Sequence, residues 1–501
     1  MIVVGASTSG YAQSFDKCGT LYNPNDATDC LEALFSRNPV HLTLSSMPPG
    51  NGVVIGGVLE QNIHYLSPFA LPSTKVLEKG FTDPKEQNYT TKDLPALGSF
   101  WSADGRLAAV FSTNGSWMTT GMLTLIPNWY TPGERTDHNG VHVSCNRLGI
   151  LCTKKVFGLH FGATNRSLQT ISFYGIGPSS PAVKYVFHQN DTFGGFRAAL
   201  PLTDWVLVES GFEYRQTNLP AGSATNSVSN NFDNTTAPGL TTQPGFVHPY
   251  VAVRTAPLLH LSPATDDQDD NHSGPLMKPD LLFTFRNAGE YHWYAAQGNS
   301  TGSFQQLVLD SDQNIQLASR VRHYVRVNDI TSGLSKFFYS ALARACGDFG
   351  INWNDHEKNE YVLKVRQRCL YGNLDLRSHI VASYTGAGST VPFYLQPTVG
   401  GSDIDSRVSL RGFPNYRFRA PDALFVQSDY THPVWGPLGL LVFYDAGTVG
   451  PNWSSLSFAH LRQDAGLGIT LSLQGNIVAQ GYLAWGAGHG PALGFNLAKL
   501  F

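Results

Sequence analysis

Apolar and polar positions alternate along most of the chain from Val40 onward, and turns rich in Gly, Asn, Asp and Pro separate the alternating segments. Between Ala465 and Leu473 the odd-numbered positions are apolar, and the even-numbered positions are Gly, Thr or Ser. A period of two places successive side chains on opposite faces of a β-strand. The pattern therefore predicts an all-β fold built from a meander of antiparallel hairpins.

The composition favours a transmembrane antiparallel β-barrel over a soluble β-sandwich with one hydrated face. Charged residues make up only 14% of the chain and aromatic residues 12%, which suits an apolar outer face banded with aromatics. Lys364, Arg366 and Arg368 are predicted to form a basic row that faces the lumen. No apolar run reaches the roughly 20 residues of a membrane-spanning helix, so a membrane-spanning chain must close a barrel. The net charge of -3 predicts no nucleic-acid partner.

Residues 1–39 lack this alternation and are predicted to form two separate segments. Residues 1–12 are interpreted as a signal-peptide remnant or, alternatively, as a disordered tail. Residues 13–39 are predicted to form a short periplasmic segment with one helix, which is capped near Asp26 and includes Leu31 to Phe35. Residues 40–501 are predicted to form the outer-membrane barrel.

Cysteine and acidic residues offer two further candidate sites. The six cysteines form neighbouring pairs that an exported protein could oxidise to disulfides, although Cys369 could instead be a lone residue on an apolar face. The pairs are Cys18 with Cys30, Cys145 with Cys152, and Cys346 with Cys369. The acidic run from Asp266 to Asp270 lacks the spacing of a calcium loop and is interpreted as a solvated loop. Zinc spacings and catalytic motifs are absent, so we expect no metal, no cofactor and no enzymatic activity.

Residues 400–447 contain an ordered set of short motifs. The motifs are Gly400-Gly401-Ser402-Asp403, Leu410-Arg411-Gly412-Phe413, Tyr416-Arg417-Phe418-Arg419 and Phe443-Tyr444-Asp445-Ala446-Gly447. This set resembles the barrel domain of the BamA/TamA outer-membrane assembly family, also called the bacterial surface antigen family. Two further segments are similar to that family, namely Phe173 to Gly177 and the stretch from Pro48 to Val53, which resembles its first-strand entry.

The resemblance implies about sixteen strands and a long inward loop with an Arg-Gly-Phe tip. In this chain the tip is Arg411, Gly412 and Phe413, and the resemblance implies that the arginine contacts Asp445 on the inner wall. Strand parity also turns Asp429 towards the lumen, nearly opposite Asp445 in the same predicted hairpin, and a guanidinium can hold two carboxylates through its fork of donors. A lock between the loop and the barrel is therefore expected at these residues.

Three neighbouring positions complete this expectation. Parity turns Phe443 and Gly447 inward, where they belong to the family's barrel motif. Gly412 would allow either a turn conformation or a close approach to the wall. Thr431 departs from the family pattern, because a basic residue is expected two positions after Asp429.

The end of the chain resembles a sorting signal. Phe495, Leu497 and Phe501 share one apolar face of the last predicted strand, and a terminal Phe on such a strand is similar to the signal that the barrel assembly machinery recognises. Relatives carry POTRA domains of roughly 70–80 residues each. Residues 13–39 are too few for one, so the chain resembles a short member without these domains.

The resemblance implies a bacterial outer-membrane location, with lipid, client barrels or exported proteins, and the assembly machinery as partners. The implied function is outer-membrane protein assembly and insertion, or protein translocation. Two alternatives stay open, a passive or gated transport pore and a structural or adhesive surface barrel.

Overall fold

The structure is a computed structural model that describes fifteen segments of the chain. They are residues 40–66, 75–79, 89–93, 101–127, 158–203, 205–261, 277–298, 302–321, 325–327, 361–363, 368–435, 438–456, 458–473, 476–486 and 490–497. The predicted signal-peptide remnant, the helix within residues 13–39 and the acidic run from Asp266 to Asp270 lie outside these segments. Within them, no helix is both long enough and apolar enough to cross a membrane.

Most described residues lie in β-strands. The strands are β1 Val40–Ser46, β2 Val53–Leu66, β3 Lys75–Lys79, β4 Tyr89–Asp93, β5 Trp101–Ser112, β6 Trp117–Pro127, β7 Gly158–Phe173, β8 Tyr185–Pro201, β9 Val206–Asn218, β10 Phe246–Thr255, β11 Leu258–Leu261, β12 Met277–Ala296, β13 Phe304–Val321, β14 Val325–Val327, β15 Tyr361–Leu363, β16 Arg368–Thr385, β17 Thr398–Val399, β18 Phe418–Arg419, β19 Asp422–Trp435, β20 Leu438–Gly450, β21 Arg462–Leu473, β22 Asn476–Gly486 and β23 Pro491–Leu497. One short helix, α1 Val228–Asn231, lies between β9 and β10. Short 3-10 turns occur at Phe393–Leu395, Trp453–Ser455 and Phe458–His460.

Seventeen of these strands form one antiparallel sheet with sixteen positions, which confirms the predicted all-β class and strand number. The order across the sheet is β1-β2-β5-β6-β7-β8-β9-β10-β12-β13-β16-β19-β20-β21-β22-β23. The short β11 adds no position, because it pairs with β12 beyond the end of β10. Within the described segments no pairing joins β1 to β23, so each of these strands has one edge without a strand partner.

Several strand boundaries differ from the prediction. The alternation predicts a first strand at residues 53–60 and pairs of short strands at 156–163 and 168–175, 183–189 and 193–200, 280–286 and 290–296, and 304–310 and 314–321. Each of these pairs corresponds to one continuous strand, β7, β8, β12 or β13, because glycine and polar residues inside these strands resemble turns. Gly289, for example, pairs in register with Leu309, and paired neighbours on both sides keep the strand continuous. The strand β1 precedes the predicted first strand at residues 53–60. The stretch from Pro48 to Val53 is accordingly the turn into β2, not the first-strand entry.

The outer face of the sheet is apolar and exposed, as the alternation predicts. Leu440 on β20 is 51% exposed, and Leu467 and Ile469 on β21 are 56% and 58% exposed. A sheet with this face fits the hydrocarbon region of a membrane better than water. The alternation places Ala446 in the same outward row as Leu440, but Ala446 is buried, because β20 is covered on both faces from this residue to its end at Gly450.

The sheet curls around the connection between β16 and β19, residues 386–421, which we call the inward loop. Tyr416 in this loop donates a hydrogen bond to the carbonyl of Pro49 in the β1–β2 turn, at 3.3 Å. Arg417 donates to the carbonyl of Ser180 beyond β7 at 2.8 Å. Because these partners lie far apart in the sheet order, the loop is surrounded by strands.

A second connection also covers the interior. The richness of residues 218–246 in Asn, Thr, Ser and Gly predicts a long outer loop, yet this stretch between β9 and β10 buries Val228 and Ala237 completely. Both belong to one apolar cluster with Phe173 of β7 and Phe393 of the inward loop. The two connections therefore pack against each other at one end of the sheet.

Candidate functional site: an arginine held by strand carboxylates

The inward loop reaches its tip through a turn that requires glycine. Gly400 and Gly401 have φ values of 111° and 58°, a region that residues with a Cβ seldom adopt. The amide of Gly401 donates to the carbonyl of Leu410 at 2.7 Å, and the amide of Ser409 donates back to the carbonyl of Gly401 at 2.8 Å. These bonds fold the chain back on itself and present Arg411 to the strands.

Next to this turn, Asp403 closes a smaller one. Its Oδ1 accepts hydrogen bonds from the backbone amides of Asp405 at 2.9 Å and Arg407 at 2.7 Å. Burial, followed by repulsion from Asp405, nevertheless raises the pKa of Asp403 to about 6. The Gly-Gly-Ser-Asp motif is therefore a compact turn whose role is to shape the loop.

The guanidinium of Arg411 lies between two strand carboxylates. Its Nε donates to Oδ2 of Asp445 at 2.8 Å, and its Nη2 donates to Oδ1 of the same residue at 2.6 Å. The same Nη2 also contacts Oδ1 of Asp429 on β19. The side chain of Arg411 is 3% exposed and that of Asp445 is fully buried. The structure thus brings together the three charged residues that parity and resemblance selected.

Aromatic rings complete the environment of this guanidinium. Its Cζ lies 3.7 Å from the ring centroid of Phe443 and 6.0 Å from that of Tyr482 on β22. A cation over an aromatic face is attracted by the ring, more strongly when water is excluded. Burial alone would lower the pKa of Arg411, but the hydrogen bonds and charges of Asp445 and Asp429 raise it above its ordinary value. The arginine is therefore charged at any physiological pH.

Gly412 and Phe413 place the tip against the strands. A Cβ on Gly412 would lie 2.7 Å from the backbone nitrogen of Gly486 and 2.8 Å from the Cβ of Asp464. Its φ is not in the positive region, so close approach, rather than a turn conformation, requires glycine here. Phe413 is 4% exposed and packs edge-on against Phe418, with ring centroids 5.5 Å apart.

Six polar residues on successive strands lie directly opposite one another and form a row across the inner face. They are Arg286 on β12, Asp312 on β13, Arg377 on β16, Gln427 on β19, Asp445 on β20 and Asp464 on β21. Charges alternate as far as Arg377, and the alternation then stops, because Gln427 is neutral and Asp445 faces Asp464. Arg411 supplies a cation at the point where the strands have none.

Of these six residues only Asp445 was predicted as a site residue, and two of the other five, Gln427 and Asp464, lie directly beside it. Gln427 donates from Nε2 to the loop carbonyl of Ser409 at 2.7 Å and to Oδ1 of Asp445 at 3.3 Å. Asp464 is 3% exposed, and neither of its oxygens has a hydrogen bond of normal geometry within the described residues. Strand parity could have found Asp464, but the predicted strand began at Ala465, one position too late.

Two other arginines of the loop, Arg417 and Arg419, fix its base. Arg417 lies over the rings of Tyr174 and Phe418, at 5.2 and 4.5 Å, and also donates to the Ser180 hydroxyl. Arg419 donates to the carbonyl of Phe393 at 2.6 Å, and burial lowers its pKa to about 10. The Tyr-Arg-Phe-Arg motif therefore holds the loop to the strands and to its own turns, away from the tip.

A cavity of about 530 Å³ opens beside the tip. Residues of β10, β12, β13, β16, β19, β22 and the inward loop line it, among them Arg286, Arg377, Asp429, Arg411 and Tyr482. Arg377 reaches Oδ2 of Asp429 at 3.4 Å from the cavity side. Residues that hold the Arg411 guanidinium therefore form part of the wall of a cavity inside the sheet.

Other predicted site residues lie elsewhere. Gly447 is buried against Phe425 and Val399, where a Cβ would lie 2.9 Å from the Cβ of Phe425. Phe495 on β23 is 70% exposed and points outward. Leu497 is the last residue of β23, and only its backbone is described. Phe501 lies outside the described residues.

Most residues of the predicted disulfides and of the predicted basic row lie outside the described residues. Cys18, Cys30, Cys145, Cys152 and Cys346 lie outside the described residues, as do Lys364 and Arg366. Only the backbone of Cys369 and of Arg368 is described, in β16. Within the described part of the chain, no cluster of three or more His, Cys, Asp or Glu side chains could hold a metal ion.

The comparisons with known proteins found similar folds among solved structures. No protein-family model and no curated protein matches the sequence. The crystal structure of BamA from Haemophilus ducreyi lacking POTRA domains 1-3 aligns with 92% of this chain and 69% of its own, at 10% identity and a TM-score of 0.45. CdiB from Acinetobacter baumannii aligns with 92% of this chain and 60% of its own, at 9% identity and a TM-score of 0.41. We base the functional proposal on the contacts of this chain's own residues.

Proposed function

We propose that this chain is a bacterial outer-membrane β-barrel that acts in the assembly and insertion of outer-membrane proteins or in protein translocation. The observation that carries the proposal is the buried contact of Arg411 with Asp445 and Asp429, which fastens a long loop inside the sheet. The proposal includes no enzymatic activity, and its partners are membrane lipid and polypeptide clients.

The outer face and the interior support this proposal from two sides. The apolar rows on β20 and β21 leave large side chains exposed that a soluble protein would bury. The interior contains charged residues, a cavity and the inward loop. Hydrogen bonds attach this loop to its surroundings, and it does not pair as a strand of the main sheet. A barrel with a polar, partly filled lumen is the arrangement that passes or guides a polar chain across an apolar layer.

The edges of β1 and β23 give the proposal a direct test. If assembly requires these two edges to separate, cysteines that cross-link β1 (Leu42 or Leu44) to β23 (Leu493 or Phe495) are expected to abolish insertion of a client barrel into liposomes. The measurement is the yield of folded client, before and after reduction, in a variant without the six native cysteines.

A matched cross-link separates this effect from general rigidity. Ile55 and Phe111 are direct partners on the already paired strands β2 and β5, and both side chains are exposed. A disulfide between them is expected to leave insertion unchanged. Full insertion with the β1–β23 cross-link in place would contradict the assembly function.

A gated transport pore is the second candidate, and the cavity beside the loop tip favours it. Arg286, Arg377 and Arg407 line this space with side chains that are 40%, 45% and 41% exposed. If the loop tip is the gate, Arg411→Ala is expected to give more frequent or larger openings than the unaltered chain in planar-bilayer recordings. Bilayers that stay silent with both proteins would exclude the pore.

A further inference from the structure

The residues that hold the Arg411 guanidinium all belong to strands, not to the loop that carries it. Asp429, Asp445, Phe443 and Tyr482 lie on β19, β20 and β22 and supply two carboxylates and two rings. We call these four residues the guanidinium pocket. Since strand pairing fixes the pocket, its geometry does not depend on which chain supplies the arginine.

A third acidic residue lies beside the pocket. Asp464 lies directly opposite Asp445 and is buried, without a hydrogen bond of normal geometry among the described residues. Arg377 contacts only the far oxygen of Asp429, at 3.4 Å, and its side chain is 45% exposed. Without Arg411, three carboxyl groups would therefore face one another with a single, distant cation.

The pocket can also be reached from inside the sheet. Arg411, Asp429 and Tyr482 are part of the wall of the 530 Å³ cavity, which is large enough to admit an arginine side chain with its backbone. After Arg411 has left, a group entering from this cavity would first reach Asp429 and Tyr482, and then Asp445 and Phe443, against which the guanidinium lies.

We propose that the guanidinium pocket is a binding site for arginine side chains of a polypeptide inside the lumen, and that Arg411 occupies it as an internal competitor. The inference rests on the proposed function, since it names the chemistry by which a translocated or assembling polypeptide displaces the loop tip. An arginine suits the site because its planar fork donates to both carboxylates and stacks on Phe443, whereas a lysine offers only a point charge.

The test is chemical rescue of the Arg411→Ala variant in detergent. The probe is the tripeptide acetyl-Gly-Arg-Gly-amide, compared with the same peptide carrying citrulline, which has the shape of arginine without its charge. At a tenfold excess over its dissociation constant, the arginine peptide is expected to raise the thermal unfolding midpoint by about 1 °C. The citrulline peptide is expected to leave the midpoint unchanged, and the lysine peptide to shift it less.

Three controls make the result specific to this pocket. The unaltered chain is expected to show no shift, because Arg411 fills its pocket, and the Arg411→Ala/Asp445→Asn variant is expected to lose the response. The Arg286→Ala variant removes an arginine from the same cavity, where it faces Asp312 at 3.9 Å, and is expected not to respond. Equal shifts with arginine and citrulline, or no shift in Arg411→Ala, would overturn the proposal.

The same peptides can be used if the variant folds poorly, and the result does not depend on the proposed function. If Arg411→Ala does not fold alone, the yield of refolded protein replaces the midpoint as readout; a higher yield with arginine than with citrulline peptide supports the proposal, and equal yields overturn it. Neither readout depends on insertion or conductance. A failed rescue in a protein that inserts clients therefore refutes the pocket alone, and a successful rescue in an inactive protein refutes the function alone.

Discussion

Replacing Arg411 with Ala is expected to lower the free energy of unfolding by about 3–5 kcal/mol, because the change leaves buried carboxylates without their cation. Asp445 is fully buried and accepts two hydrogen bonds from this side chain, and Asp429 accepts a third contact. Among the described residues, two neutral donors to Asp445 then remain, the backbone amide of residue 411 at 3.2 Å and Gln427 at 3.3 Å. The measurement is equilibrium unfolding in detergent, followed by heat-dependent gel mobility.

A double-mutant cycle with Asp445→Asn shows whether the loss belongs to this pair. The single change Asp445→Asn is expected to cost less than Arg411→Ala, since Arg411 keeps Asp429 as a partner. The double variant is expected to be more stable than the sum of the single changes predicts, with a coupling energy of about 2–3 kcal/mol for residues in direct contact. Additive losses would show that the two side chains do not interact.

The pair Arg286 and Asp312 serves as the matched control. It has the same residue types and faces the same cavity, but its closest distance is 3.9 Å and both side chains are about 40% exposed. Such a pair contributes about 0–1 kcal/mol, so Arg286→Ala is expected to be nearly neutral. A loss at Arg286 as large as that at Arg411 would indicate that any lumenal arginine has this effect.

Alternation alone was enough to predict the sheet and the faces of its strands. Leu467 and Ile469 lie outward, and Asp429 and Asp445 inward, because a period of two assigns each side chain to a face without reference to the partner strand. Strand ends were harder to predict. Polar residues and glycine normally mark turns between strands. In β12 and β13 they lie in the middle of a strand, because the hydrated inner face accepts polar side chains, and they therefore did not indicate the strand ends.

The site depended on information that single strands do not carry. Asp429 and Asp445 were predicted to be nearly opposite, whereas the true partner of Asp445 is Gln427 and that of Asp429 is Phe443. A register is set by the pairing of two strands and by the turn that joins them. The row from Arg286 to Asp464 crosses six strands, so each of its five pairings would have had to be predicted in turn.

Changing Gly412 to Val is expected to displace the loop tip without altering any charge. A Cβ at this position meets the backbone of Gly486 at 2.7 Å and the Cβ of Asp464 at 2.8 Å, and neither group can rotate away. Overpacking of this kind costs about 1–3 kcal/mol or more. Arg411 must then move with the tip, so the variant is expected to combine lower stability with faster proteolysis of the inward loop.

Gly386, at the start of the same loop, provides the control for Gly412. A Cβ there meets no atom within 4 Å, and its φ lies outside the positive region, so Gly386→Ala is expected to leave stability and proteolysis unchanged. The comparison separates contact at the tip from flexibility of the loop. If Gly412→Val keeps the stability and protease resistance of the unaltered chain, the loop tip does not lie in contact with β22. If Gly412→Val loses as much stability as Arg411→Ala, the position of the tip and the charge of Arg411 are coupled. The guanidinium then reaches Asp445 only while the backbone of Gly412 contacts the strands.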